Sequence, residues 1–200
     1  MSLQQPAIEV LGATRDQVGE SPVWSEREQA LYWVDIEGRA IRRFEWSTRT
    51  TRSWQVPERV GCIALRAGGG LIAGMETGVF AVSLPAQGEA AEVRLLQAIT
   101  HPREGMRFND GRCDRAGRFW ASTMVRDMSL AAADGALFRF DGQGLSAPLV
   151  TGLLTGNGLA FSPDGAVPAI ARSATDLSWS SERLVPTPNF SSQTDSIERL

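Results

Sequence analysis

Four stretches of this chain follow one plan. They start at Glu20, Gly61, Asn109 and Asn157, at intervals of 41, 48 and 48 residues. Four positions after each start stands Trp24, Leu65, Cys113 or Phe161, apolar every time. A short polar or glycine-rich link follows, at 25–30, 66–70, 114–117 and 162–165. An apolar strand pattern comes next in three of the copies, at 31–34, 71–74 and 119–123, and a further one at 40–46, 79–84 and 136–140. The links carry turn chemistry. S-P-D-G offers Pro and Gly at turn positions, and D-R-A-G ends on a glycine able to take positive φ. Glu37-Gly38 and Glu76 to Gly78 serve the next turn of their units. Helical periodicity is absent, and apolar runs of four to seven residues alternate with turn signals. A period of about 40–50 residues with three or four strands per unit predicts an all-β chain built as a β-propeller. The Gly-His and Trp-Asp marks of WD-type repeats are missing. Upstream of the first unit, Ile8, Val10 and Leu11 form a short apolar patch compatible with one more strand.

Composition narrows the partners. A net charge of -3 gives no basic surface for nucleic acid or an anionic membrane. No apolar run approaches the roughly 20 residues of a membrane span, and the first ten residues lack the basic start and apolar centre of a signal peptide. The expectation is a cytoplasmic monomer. Cys62 and Cys113 both fall in apolar strand patterns and read as buried reduced thiols, with no CxxC or His-rich cluster for a zinc-finger-type site.

Two departures from the repeat matter. The third unit has a long link at 125–135, V-R-D-M-S-L-A-A-A-D-G, which is either a substrate loop or a tolerated surface insertion. After Gly165 the strand pattern breaks off in mid-unit. Thirteen of the 35 residues at 166–200 are Ser, Thr or Pro, a composition with too little apolar surface to offset the entropy of ordering. The sequence therefore predicts a partial propeller of about three and a half blades at 1–165. At 166–200 it predicts an irregular tail, of the kind a reading-frame change would produce.

Equivalent positions at one end of innermost propeller strands converge near the axis. Glu20, Asn109 and Asn157 would bring one carboxylate and two amide oxygens together, a hard-oxygen set suited to Ca²⁺, Mg²⁺ or Mn²⁺. Taken singly, Asn109-Asp110-Gly111 and Asn157-Gly158 also read as hairpin turns, and Glu20 as an exposed loop acid. Arg107, two residues before Asn109, shares its face in an extended strand and could grip a carbonyl or hydroxyl, or form a surface salt bridge. His101, the one histidine, sits beside Pro102 in a loop, and no serine-nucleophile motif accompanies it.

G-E-S-P-V-W with L-Y-W-V-D-I, R-F-N-D-G with D-x-x-G-R-F-W-A-S-T-M, and N-G-L-A-F-S-P-D-G resemble, in order, the motifs of the regucalcin/gluconolactonase family. The resemblance covers about residues 9–165. It implies a six-bladed propeller that hydrolyses sugar lactones with one divalent metal ion in the channel, Ca²⁺ or alternatively Zn²⁺, Mn²⁺ or Mg²⁺. By position it makes Glu20 and Asn157 metal ligands and Arg107, Asn109 and Asp127 substrate contacts. The family's remaining ligand is an aspartate of a later D-G motif, usually proposed as the general base. It has no counterpart here, since Asp176 and Asp195 stand in other contexts. No catalytic residue is transferred. The alternatives are therefore a lactonase of low turnover, a non-enzymatic calcium- or ligand-binding propeller, and an inactive fragment.

Overall fold

The computed structural model describes residues 9–162 and 168–171. Three four-stranded antiparallel sheets follow one another along the chain, each in simple up-and-down order. The first holds β1 (Gly19–Ser25), β2 (Ala30–Asp35), β3 (Ala40–Glu45) and β4 (Thr50–Gln55). The second holds β5 (Val60–Leu65), β6 (Leu71–Met75), β7 (Gly78–Ser83) and β8 (Glu92–Ala98). The third holds β9 (Met106–Cys113), β10 (Phe119–Val125), β11 (Gly135–Phe140) and β12 (Val150–Leu153). A fourth begins with β13 (Asn157–Phe161) paired to β14 (Pro168–Ala171). Among the described residues the only helical element is a 3₁₀ turn at Met128–Leu130. The all-β propeller architecture read from the repeat is the one observed, with β1, β5, β9 and β13 as successive inner strands that neighbour one another.

The turns form where the sequence signals them. Asp114 caps the β9–β10 hairpin by accepting from the amides of Ala116 (2.9 Å) and Arg118 (3.0 Å), and Gly117 takes φ +76. The expected strand at Ile8, Val10 and Leu11 does not form over its described part. Val10 is 85 % exposed and Leu11 is exposed too, while Ile8 lies outside the described residues. A strand needs a free hydrogen-bonding edge. This segment instead leads to an anchor, where the amides of Gln17 and Val18 both donate to the Asp35 carboxylate at 3.1 Å. The strand expected to be missing after Gly165 has a short representative in β14. Residues 163–167, which hold the rest of the S-P-D-G turn after Ser162, and residues 172–200 lie outside the described residues.

Apolar side chains fill the gaps between sheets. Val34, Ile41, Val60, Ile63, Leu71 and Met75 lie between the first and second. Cys62, Val79, Phe108, Phe119, Ala121 and Phe140 lie between the second and third. Leu137, Leu153, Leu159 and Ile170 join the third to the β13–β14 hairpin. Both cysteines are free; Cys62 is buried and Cys113 half-buried. Burial pushes the Cys113 thiol up to about 11, well away from the thiolate form.

Candidate functional site

Up-and-down connectivity sorts the loops. Each inner strand starts at one end of the molecule, and the links β2–β3, β6–β7 and β10–β11 return to that same end. The long link at 125–135 is therefore at the mouth where β1, β5, β9 and β13 begin.

Each inner strand carries one extra residue against its partner at the aligned position. The register breaks between Glu20 and Val23 in β1, between Val60 and Cys62 in β5, between Phe108 and Gly111 in β9, and between Asn157 and Ala160 in β13. These are β-bulges, which re-aim side chains. Asn109, Asp110 and Asn157 are thus strand residues, and the hairpin-turn reading of their motifs does not hold.

A cavity of about 550 Å³ runs along the inner strands from this level, and Glu20, Asp110 and Asn157 all line it. Glu20 is exposed, and its carboxylate accepts no hydrogen bond among the described residues. The Asn157 side-chain oxygen accepts from the Gly158 amide at 3.2 Å. Asp110 Oδ2 accepts from the Leu159 amide at 2.8 Å.

Asn109 takes another direction. It is 9 % exposed, its Nδ2 donates to the Gly156 carbonyl at 2.9 Å, and its Oδ1 accepts from Arg107 Nη1 at 2.8 Å. Arg107 is 8 % exposed, and Nη1 also donates to the Phe108 carbonyl at 2.8 Å. Its Nε is buried without a partner. Burial pulls this guanidinium below the usual arginine pKa, and no carboxylate touches it, so the surface salt-bridge reading fails. The shared face of Arg107 and Asn109 is as expected. The common register nevertheless splits into Glu20, Asp110 and Asn157 on the cavity and Asn109 packed behind it. Asp110 was missed as a cavity residue, and only the bulge, invisible in the letters, distinguishes it from Asn109.

Three blades are tied together at the mouth by ions. Arg59 Nε pairs with Glu37 at 2.8 Å, and Glu76 Oε1 receives Arg59 Nη1 at 3.2 Å and Arg126 Nη1 at 2.9 Å. Burial works to raise the Glu76 pKa, but the Arg59 amide and the two guanidinia more than offset it, leaving the carboxyl below its usual range. His101 sits in a loop with Nε2 2.8 Å from the Glu76 carbonyl. Asp127, on the long link, is exposed and caps the 3₁₀ turn. Its Oδ1 accepts from Ser129 Oγ at 2.6 Å and from the Ser129 amide at 3.0 Å, and these bonds hold its pKa down.

The model of the SMP-30/Gluconolactonase/LRE-like region matches residues 18–193. The chain belongs to the SMP-30/gluconolactonase family. Among its relatives in this family, 6-deoxy-6-sulfogluconolactonase of Pseudomonas putida is 41 % identical over 151 residues, 74 % of this chain and 49 % of that protein. L-arabinolactonase of Azospirillum brasilense is 32 % identical over 158 residues, 78 % of this chain and 51 % of that one. The calcium-binding protein regucalcin of Agrobacterium tumefaciens superposes with a TM-score of 0.76 at 20 % identity, covering 90 % of this chain and 60 % of that structure, a likeness of fold. The chain spans about half the length of the curated relatives it matches. Among the described residues no helix is long and apolar enough to cross a membrane.

An oxygen-loving cation fits the donors present. Two carboxylates and an amide oxygen face one cavity, and hard cations take such ligands. Among the described residues no three His, Cys, Asp or Glu side chains gather closely enough to hold a metal by themselves, and Asn157 is the amide side chain that lines the cavity beside Glu20 and Asp110.

Proposed function

We propose that the mouth of this channel is a site for divalent-metal-dependent hydrolysis of sugar lactones. The observation that carries the reading is the meeting of Glu20 and Asn157, from units 137 positions apart in the sequence, on one cavity of the inner strands. Membership of a family with named lactonases supplies the substrate class. Glu20 and Asn157 would hold the ion, with Asp110 adding negative charge to the same wall. A divalent ion there would supply Lewis-acid polarisation of the lactone carbonyl. Arg107, buried behind the cavity wall, has its Nε without a partner, and this donor would serve a sugar oxygen. Asn109 fixes the Arg107 head group from behind. Asp127 presents an acidic group on the flexible-length link that borders the mouth.

A second reading is a calcium- or ligand-binding propeller without turnover. It is favoured by the small donor set among the described residues, since Ca²⁺ takes six to eight oxygens. Calcium titration by calorimetry and lactone hydrolysis by proton release, each on the purified chain, test both readings. Replacing Glu20 by Gln or Asn157 by Ala is expected to weaken metal binding by more than the about 10–100-fold typical of outer-shell changes, and to abolish any metal-stimulated hydrolysis. Metal binding that needs both residues without turnover selects the second reading. Binding and hydrolysis unchanged in both variants would refute the site.

A further inference from the structure

The opposite end of the molecule holds a second cleft of about 550 Å³, between the second and third sheets. Its floor is apolar: Ile72 and Phe140 are buried, and Leu65 and Leu96 half-buried. Its rim carries Arg66, Arg94 and Arg118, with Asp141 as the one acidic lining residue. The three cations are unequal. Arg118 is committed, its Nε 2.6 Å from Asp114 Oδ2 and its head group over the Trp120 ring. Arg66 and Arg94 make no side-chain hydrogen bond or ion pair among the described residues, and Arg66 is half-buried.

The rim charge leaves a surplus. Arg118 is neutralised by Asp114, and Asp141 can offset one of the remaining cations. One positive charge is then left over in a chain of net charge -3. A half-buried guanidinium that has given up part of its hydration without gaining a partner is a ready anion receptor. A single surplus charge matches a monoanion better than a phosphate dianion. The apolar floor requires that the anion have a hydrocarbon or aromatic body, and the volume lies in the range of small-molecule sites.

We propose that this cleft binds a small amphipathic monocarboxylate. The body lies on Ile72 and Phe140, and the carboxylate is held by Arg66 and Arg94. The site is made of residues of the second and third sheets and their links; it shares Leu65 and Cys113 with the far end of the cavity lined by Glu20 but none of that cavity's charged residues, so it stands whether or not the lactonase reading holds.

Fluorescence titration of the full chain with 2-naphthoate tests this, with 2-naphthalenemethanol as the neutral analogue and acetate and inorganic phosphate as anions without the apolar body. Saturable naphthoate binding at submillimolar to millimolar concentration is expected, at least about tenfold tighter than the alcohol, as loss of charge-assisted bonds implies. Acetate and phosphate should not displace it at comparable concentration. Arg94→Gln, at an exposed position that leaves folding intact, and Arg66→Gln should each weaken binding about tenfold, with Arg66→Lys recovering part of the loss. Excess gluconolactone should leave naphthoate bound. No saturable binding, equal affinity for the alcohol, unchanged affinity in both Arg→Gln variants, or displacement by the lactone would each overturn the assignment.

Discussion

Asp35 ends β2 with its carboxylate 2 % exposed, yet fully engaged. It accepts from the amides of Gln17, Val18 and Gly38 and from Arg42 Nη2 at 3.3 Å. Burial raises its pKa, but the Val18, Gly38 and Gln17 amides and Arg42 together more than offset this, so the folded value lies below the usual one. A depressed carboxylate stabilises fully above its unfolded pKa, and the contribution fades as pH falls through the folded value. Asp35→Ala is expected to cost about 3 kcal/mol near neutral pH, because it strands the buried amide donors of Gln17, Val18 and Gly38, while Arg42 keeps Asp16. Urea unfolding at pH 7 and again in acid should show the difference between variant and parent shrinking in acid. A constant difference would contradict the linkage. Little of this was legible beforehand: the W-V-D sequence marks a strand end, but nothing in it says that an N-terminal segment docks there.

Elements were legible where period and turn chemistry agree. The second strands of the second and third sheets stood out because both faces are buried: β6 and β10 are buried at every position. The outermost strands did not, because β4, apart from buried Trp54, and β8 hold only exposed and half-buried residues and read as ordinary polar sequence. Glu20 and Asn157 could be read from their shared place in the repeat, whereas the parting of Asn109 from Asp110 depends on where a ladder skips a residue. Gly61 occupies the corresponding place in β5, and here the close approach of β9 explains the missing side chain. An added Cβ would run into the Phe108 carbonyl and stand 2.7 Å from that of Asn109. Gly61→Ala is therefore expected to destabilise the chain by about 2–4 kcal/mol by forcing β5 and β9 apart. It should also perturb the Arg107–Asn109 pair, visible as a drop in melting temperature and, where hydrolysis is measurable, a change in KM.

Across the whole molecule, each sheet packs on its sequence neighbours through its own group of apolar side chains. Such an arrangement loosens from its margins, since outer strands have few buried contacts. Hydrogen exchange followed by mass spectrometry should find β5, β6, β9 and β10 slowest and β4 and β8 fastest. Uniform protection across each blade would count against this. The extra residue in each inner strand has a consequence for how such a chain can change. All four strands shift phase at the same height, and so keep step with one another around the channel. Deleting Ser21 alone would iron the bulge out of β1, with Val23 still opposite Tyr32 and Trp24 opposite Leu31. Val23 would stay against the first core and Trp24 toward water, and what changes is the local path of the strand beside Glu20. What the channel tolerates is therefore a question of counting: a conservative exchange of one letter leaves the beat intact, while the loss of that one letter spares the strand and puts β1 alone out of step at the mouth.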